Sequence, residues 1–497
     1  RVLFRSASLW TALQYWFDFG LFPQGAAPAS TFVNRNFFAE FVVCALPFSM
    51  YLTHQTNNKW LTRLLATSVG VQISALMMAG TRSALVALIA LIAFTCTIFA
   101  VKIYQTKVWP TRPRSLLIAA WILVEVIGMG MIPGKNHQIN LETGGATFIQ
   151  RALFRANTVV QPVEYTQGSM SIRANLWRTT GDMINHHWLT GVGAGAWEVY
   201  EPLFQSPDQY VETDYYAHND ILQTLSEYGI VGWFFLSGLT SYLLWAAKLT
   251  WLQRFGMHTD EIPPRLTALA SLFILFLVSN TGFPMRLATT CAMFAVCIGL
   301  LMASDLRIFS GSPNRISRTY IWSKNQPKLA LIATTACIFT TLYIVVQAIV
   351  CESKLTRALK VALTISQSWN PNDPHWDSVK TQMLEWTKEG ISINPHYRKL
   401  TPSVADALAS WGDWTNAELI WESTIASRPY VSGILMNLAR SQINAGNFEK
   451  AENYLKRSMV IQPMAITNSA LQVLLLIRTK QLTQAKIMVG DLLRKGR

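Results

Sequence analysis

The sequence predicts an all-α protein, with a polytopic transmembrane helical bundle over residues 1–350 and a helical-repeat domain over residues 351–497. Apolar runs of about 18 or more residues, long enough to cross a bilayer core as helices, recur up to about residue 350. Beyond that point they stop and a 34-residue period begins. The composition agrees, because only 14% of the residues are charged, against about 25% in soluble globular chains.

The apolar runs predict eight transmembrane spans, and because the first residue is Arg1 and not Met, we expect that N-terminal sequence is missing. The eight cover about residues 37–54, 62–80, 83–101, 115–133, 228–247, 266–283, 287–303 and 329–350. Basic residues concentrate in alternate segments between them: Lys59, Arg63, Lys102, Lys107, Arg112, Arg114, Lys248, Arg254, Arg265, Arg307, Arg315, Arg318, Lys324 and Lys328.

Such clusters mark the cytoplasmic side of a membrane protein. A long loop at about 134–227 and the repeat domain are therefore expected on the periplasmic or outer side of a bacterial inner membrane. The formal net charge of +14 follows from this topology, so we expect contact with membrane lipids and no nucleic-acid partner.

The C-terminal period appears in three registers at once, each with a spacing of 34 residues. These are Ala417, Ala451 and Ala485; Trp414, Phe448 and Leu482; and Pro395, Pro429 and Pro463. The pattern resembles the tetratricopeptide repeat, in which a small residue lies where two helices cross and a proline follows the pair. Such stacks bind peptides or proteins on a concave face, so we expect a protein partner here.

The long loop turns into the next span at His218 and Asn219. Asn219 or Asp220 can cap that helix, and the partial positive charge of a helix N-terminus suits a nearby anion. Gly229 and Gly232 leave a flat strip on which another helix can pack closely.

Arginines at the outer face predict an anionic ligand, since their planar fork suits phosphate groups. Arg82 and Arg286 lie at the outer ends of spans, where the alternative interpretation is that they extend to the membrane interface. Arg151, Arg155, Arg173 and Arg178 can join them from the loop. Neither metal-ligand spacing nor a dinucleotide-binding pattern is present, so we expect no metal and no cofactor.

His218, Asn219, nine residues, Gly229, two residues and Gly232 match the motif of the O-antigen ligases and the related protein O-oligosaccharyltransferases. That motif is His, then Asn, Ser or Gln, nine residues, Gly, two residues, then Gly, Thr or Tyr. Three further stretches resemble segments of the O-antigen ligase and polymerase superfamily in the same order, over about residues 32–305: NRNFFAEFVVCALP, GTRSALVALIAL and IRANLWRTTGDMINHHWLTGVGAGAW.

The resemblance implies metal-independent transfer of a glycan from undecaprenyl diphosphate at the outer face of the membrane. It also implies further N-terminal spans before Arg1. It implies that Arg82 and Arg173 contact the diphosphate and that His218 assists the acceptor hydroxyl. The acceptor stays open between lipid A core, a polysaccharide and a protein. Two alternatives also stay open: a polysaccharide polymerase, and a non-enzymatic transport or assembly scaffold. The near absence of ionisable residues at the span centres argues against a transporter.

Overall fold

The computed structural model describes residues 2–20, 28–106, 113–143, 146–206, 216–252, 258–309, 323–368, 370–397 and 400–494. The chain is 81% helical and has no strand within these residues, which confirms the predicted all-α class. Five of the basic residues that predict the orientation lie outside the described residues: Lys107, Arg112, Arg254, Arg315 and Arg318.

The described helices fall into a first group that ends with α13 and a second group that begins with α14. The first group is α1 (Val2–Phe17), α2 (Arg35–Gln55), α3 (Lys59–Ala79), α4 (Arg82–Thr106), α5 (Pro113–Gly130), α6 (His137–Thr143), α7 (Phe148–Thr158), α8 (Pro162–Thr166), α9 (Ser169–His186), α10 (Trp197–Tyr200), α11 (Asp220–Leu252), α12 (Ile262–Ser279) and α13 (Ala288–Ile308). The second is α14 (Gln326–Gln367), α15 (Asp377–Ile393), α16 (Thr401–Ser410), α17 (Trp414–Ser427), α18 (Ser432–Ala445), α19 (Phe448–Ile461), α20 (Ile466–Arg478) and α21 (Leu482–Arg494).

Each of the eight predicted spans falls on one helix. Among the described residues, six of these helices are long and apolar enough to cross a membrane: α2, α3, α11, α12, α13 and α14. The fourth helix contributes a shorter apolar stretch, Arg82–Ile98, and α5 coincides with the remaining predicted span. The chain is therefore a multi-span membrane protein.

The membrane helices α2, α3, α4, α12 and α13 share one apolar core. Phe38, Val42, Leu76 and Ile274 are fully or almost fully buried in it. Large apolar side chains such as Phe234 on α11 are instead mostly exposed, as expected for surfaces that contact lipid.

The described chain divides into two compact units. The first comprises Arg1–Ala194 and Tyr216–Arg318, and the second comprises Gly195–Tyr215 and Thr319–Arg497. The predicted boundary between residues 350 and 351 therefore falls inside α14, which is one continuous helix of 42 residues. This continuity could not be predicted from the hydropathy pattern, because an apolar stretch and an amphipathic stretch can follow each other without a helix break.

In the second unit, the 34-residue period corresponds to a repeated helix pair. Trp414, Phe448 and Leu482 are the first residues of α17, α19 and α21. Ala417 and Ala451 are fully buried, as expected for a small residue at a helix crossing. The assignment of these pairs to the tetratricopeptide family stays a prediction.

Candidate functional site

The start of α11 is fixed by Asn219, the residue before the helix. Its side-chain oxygen accepts hydrogen bonds from the backbone N–H groups of Ile221 and Leu222, both at 3.1 Å. These two groups have no partner inside the helix, so the bonds stabilise its first turn. The side-chain amide of Asn219 donates to the carbonyl of Asn280 at 3.3 Å, which ties the helix start to the end of α12.

His218 lies directly before this cap and has a left-handed backbone with φ of 51°. A non-glycine residue in this region is strained by about 1 to 3 kcal/mol, so its surroundings must hold it there. Its ring packs edge-on against Phe283, with the two centroids 5.0 Å apart. Phe283 also contacts Tyr216 and Phe37. An aromatic cluster therefore fixes the imidazole at the start of α11.

Two buried carboxylates on the first turns of α11 bind the turn between α12 and α13. Asp220 accepts a hydrogen bond of 2.9 Å from the backbone of Met285 and one of 3.3 Å from Ser279. Arg286 donates to Glu227 at 2.8 Å and lies 4.0 Å from the Asp220 carboxylate. The guanidinium of Arg286 thus ties this turn to α11, a contact that the prediction of a diphosphate-binding role did not anticipate.

Gly229 interrupts α11 with a kink, at φ of 53° and ψ of −132°. A helix that kinks leaves backbone carbonyls without their usual partners. The turn at 191–193 supplies the missing donors: the N–H groups of Val192 and Gly193 donate to the carbonyls of Ser226 and Glu227, at 2.9 and 3.0 Å. The glycine-rich segment of the loop is therefore built into the start of α11.

The motif glycines permit this contact because a side chain would have no room. A Cβ at Gly229 would lie 2.5 Å from the backbone nitrogen of Gly191, and a Cβ at Gly191 would lie 2.2 Å from the carbonyl of Glu227. A Cβ at Gly232 would lie 2.8 Å from the carbonyl of Thr224, in the same helix. The prediction that Gly229 and Gly232 form a strip for a second helix is therefore corrected: the glycines permit the kink in α11 and the close packing of the turn at 191–193.

Arg82 and Arg173 meet at one hydroxyl. Arg82, the first residue of α4, forms an ion pair with Glu164 and also donates to Ser169 Oγ at 3.2 Å. Arg173, one turn into α9, lies 3.5 Å from the same oxygen. The structure thus brings together the two arginines that the family resemblance implies as contacts of a diphosphate.

Glu164 is the charge partner of this pair and was not identified from the sequence. Burial alone would raise the pKa of its carboxyl, but hydrogen bonds from Ser169 and Arg82, together with the charge of Arg82, hold that pKa below its ordinary value. Glu164 is consequently ionised at neutral pH. An anionic ligand must compete with it for Arg82.

Arg151 and Arg155 attach α7 to the turn between α3 and α4. Arg151 is fully buried and donates to the carbonyl of Met78 at 3.2 Å and to Glu142 at 2.9 Å. Arg155 donates to the carbonyl of Gly80 at 3.1 Å. These bonds place the outer loop beside Arg82.

Several arginine side chains lie close together near the start of α4. Burial, together with the nearby charges of Arg35 and Arg82, lowers the pKa of Arg155 to about 10. A diphosphate would relieve that repulsion, because it offers two negative charges to several guanidinium groups at once. The start of α4 therefore has the electrostatic character of an anion site.

Arg178 is exposed on α9, and it forms no hydrogen bond or ion pair with any residue in the described ranges. It lies five residues after Arg173, hence about 140° around the helix axis. The two arginines do not share a face, so the structure separates Arg178 from the Arg82–Arg173 pair.

Glu40 is a further residue that the sequence interpretation missed. It lies inside α2, is 3% exposed, and its Oε2 has no hydrogen-bond partner among the described residues. It interacts electrostatically with both Asp220 and Arg173, so the arginine pair and the start of α11 face a common region. Its signal was a single carboxylate within an apolar run. Glu40 lies near the end of the predicted span at about 37–54, whereas Glu125 of α5 lies near the centre of the predicted span at about 115–133.

Comparison with known proteins bears on the same residues. The profile of the O-antigen ligase family matches residues 67–237. This range includes Arg82, Arg173, His218 and the two motif glycines, Gly229 and Gly232, and it ends before Arg286. No curated protein and no solved structure matched the chain. The matched region and the residues within it support a relation of this part of the chain to the O-antigen ligase superfamily of membrane glycosyltransferases.

Proposed function

We propose that this protein transfers a glycan en bloc from undecaprenyl diphosphate to an acceptor hydroxyl at the outer face of the bacterial inner membrane. The observation that carries the proposal is the paired arrangement of Arg82 and Arg173 at Ser169, in the same family region as the fixed His218. The acceptor is lipid A core, a polysaccharide or a protein.

The chemistry requires two groups. The acceptor oxygen attacks the anomeric carbon of the glycan, and the bond between that carbon and the diphosphate oxygen breaks with its electron pair on the diphosphate. His218 accepts the proton of the hydroxyl, as a neutral imidazole can near neutral pH. Arg82 and Arg173 offset the negative charge that grows on the leaving diphosphate.

Arg286 and Arg178 do not enter this mechanism. Arg286 is already bonded to Glu227 and lies near Asp220, so we propose that it fixes the turn between α12 and α13. Arg178 is exposed and lies away from Arg173 around α9.

The test is complementation of a strain from which the gene has been deleted, with the wild-type chain, His218→Ala and His218→Gln. General-base assistance is worth about 10² to 10⁴ in rate, so both variants should lose transfer by about that factor. Gln keeps a hydrogen bond but cannot act as a base. Protein abundance and thermal stability serve as controls, and full transfer by both variants would remove His218 from the mechanism.

The lipid-linked glycans that accumulate separate ligation from polymerisation. Loss of a ligase leaves full-length glycan on undecaprenyl diphosphate and a bare acceptor. Loss of a polymerase leaves single repeat units on the lipid and acceptors that carry one unit. The second pattern would contradict the proposed ligation and favour the polymerase.

A further inference from the structure

The second compact unit contains a piece of the outer loop together with the repeat helices. This piece comprises α10 and a 3₁₀ turn, Glu201–Leu203. Trp197 is fully buried and Glu201 is 1% exposed. Such burial is unusual for a loop, because loops generally run over the protein surface. The segment is thus integrated into the fold of the second unit.

The turn between α17 and α18 makes the specific contacts to this segment. Arg428, which ends α17, lies 3.5 Å from both the carboxylate and the backbone carbonyl of Glu198. The side chains of Arg428 and Glu198 are only 9% and 15% exposed, so solvent screens this pair weakly. The ring of Tyr430 lies 5.8 Å from that of Tyr200.

The same loop is anchored in the first unit on either side of this segment. Before it, the turn at 191–193 is hydrogen-bonded to α11. After it, the backbone of Ala217 donates to Gln223 at 3.2 Å, one residue ahead of His218. Attachment of this segment between the two anchors divides the loop into two shorter pieces. Shorter pieces lose less conformational entropy when they are ordered.

We infer that the repeat domain holds the outer loop for the proposed transfer reaction, with residues 198–200 of this chain bound to the turn at 428–430. The repeat surface at this turn is occupied by the chain itself. The contacts at this turn are therefore explained without the expected external protein partner. The part of the inference that concerns transfer rests on the proposed function.

Hydrogen–deuterium exchange on the full chain in lipid nanodiscs tests the contact. Removing one partner of a largely buried ion pair is strongly destabilising, so Arg428→Glu should raise exchange in residues 197–204 by about tenfold or more. Glu198→Arg tests the same contact from the loop and leaves the repeat helices unchanged. The double variant, with both charges reversed, should recover most of the protection.

Gln462→Glu is the matched control. Gln462 ends α19 as Arg428 ends α17, one repeat later, so the variant places the same charge at the equivalent position. It should leave exchange in residues 197–204 unchanged. Unchanged exchange in both Arg428→Glu and Glu198→Arg would overturn the inference, as would an equal rise in the control.

The transfer assay then tests the consequence for activity. Arg428→Glu and Glu198→Arg should each slow transfer by about tenfold, in step with the loss of protection, and the double variant should restore it. Raised exchange with normal transfer would overturn the positioning role. If the wild-type chain transfers no glycan, the proposed function fails, while the exchange data still decide whether the repeats bind the segment.

Discussion

At the scale of single residues, the arginines of the candidate site differ in the carboxylates that already neutralise them. Arg286 has two carboxylates beside it, Glu227 and Asp220. Arg82 has one, Glu164, and lies among other positive charges that also act on Arg155. A diphosphate is therefore attracted more strongly to Arg82 than to Arg286.

Arg82→Lys should reduce transfer by about 10² or more, because an ammonium keeps the charge but lacks the planar fork that forms paired hydrogen bonds with a phosphate. The measurement is the initial rate of glycan transfer at saturating acceptor. Arg63→Lys, at an exposed position of α3, is the control and should keep the wild-type rate. A normal rate in Arg82→Lys would show that the residue only extends to the membrane interface.

A feature of the site could be predicted from the sequence when it depends on residues that are neighbours in the chain, and not when it depends on residues far apart in the chain. The cap at Asn219 and the position of His218 depend on neighbouring residues, and the motif marks both. The Arg82–Glu164 pair joins residues 82 positions apart, and no local pattern records it. Glu40 did leave a signal, but its contact with the region of Asp220 and Arg173 depends on how α2 packs.

At the scale of elements, α11 shows which features of a helix can be predicted from hydrophobicity and which cannot. The apolar run predicted a span from about residue 228, while the helix begins at Asp220 and kinks at Gly229. Hydrophobicity identifies the part in contact with lipid, but the first turns carry buried polar residues that pack against the loop. The kink depends on a partner turn almost 40 residues earlier, so it could not be predicted from the helix alone.

Gly229→Ala should destabilise the protein by about 1 to 3 kcal/mol, because an alanine is strained at this φ and ψ and its Cβ would meet backbone atoms of Gly191 and Leu189. Thermal unfolding in detergent measures the effect. Gly238→Ala lies in the same helix, where a Cβ meets nothing within 4 Å, and should be neutral or slightly stabilising. Equal melting temperatures for the two variants would contradict the role given to the kink.

At the scale of the whole molecule, the apolar runs predicted all six of the described helices that are long and apolar enough to cross a membrane, since a bilayer of fixed thickness imposes a minimum length on each. Orientation rests on the basic residues alone. The eight helices fit the predicted spans, and the side on which the loop and the repeats lie stays a prediction.

Single cysteines at Asn157 and Glu452, in a chain whose native cysteines are replaced, should react with a membrane-impermeant thiol reagent in intact spheroplasts. Both positions are exposed, one on α7 and the other on α19. A cysteine at Lys59, the first residue of α3, is the control and should react only after lysis. The reverse labelling pattern would invert the topology and place the candidate site on the cytoplasmic side.

The unbroken helix α14 has a consequence for the repeat domain. Its side chains from Leu329 to Val350 are largely exposed, and from Cys351 onward it contributes buried residues to the repeat unit. The apolar part is about 33 Å long, close to the bilayer core of about 30 Å. A thinner bilayer would make this helix tilt. No linker separates the two parts of α14, so the first repeat helices must tilt with it. The orientation of these repeat helices therefore depends on the thickness of the bilayer.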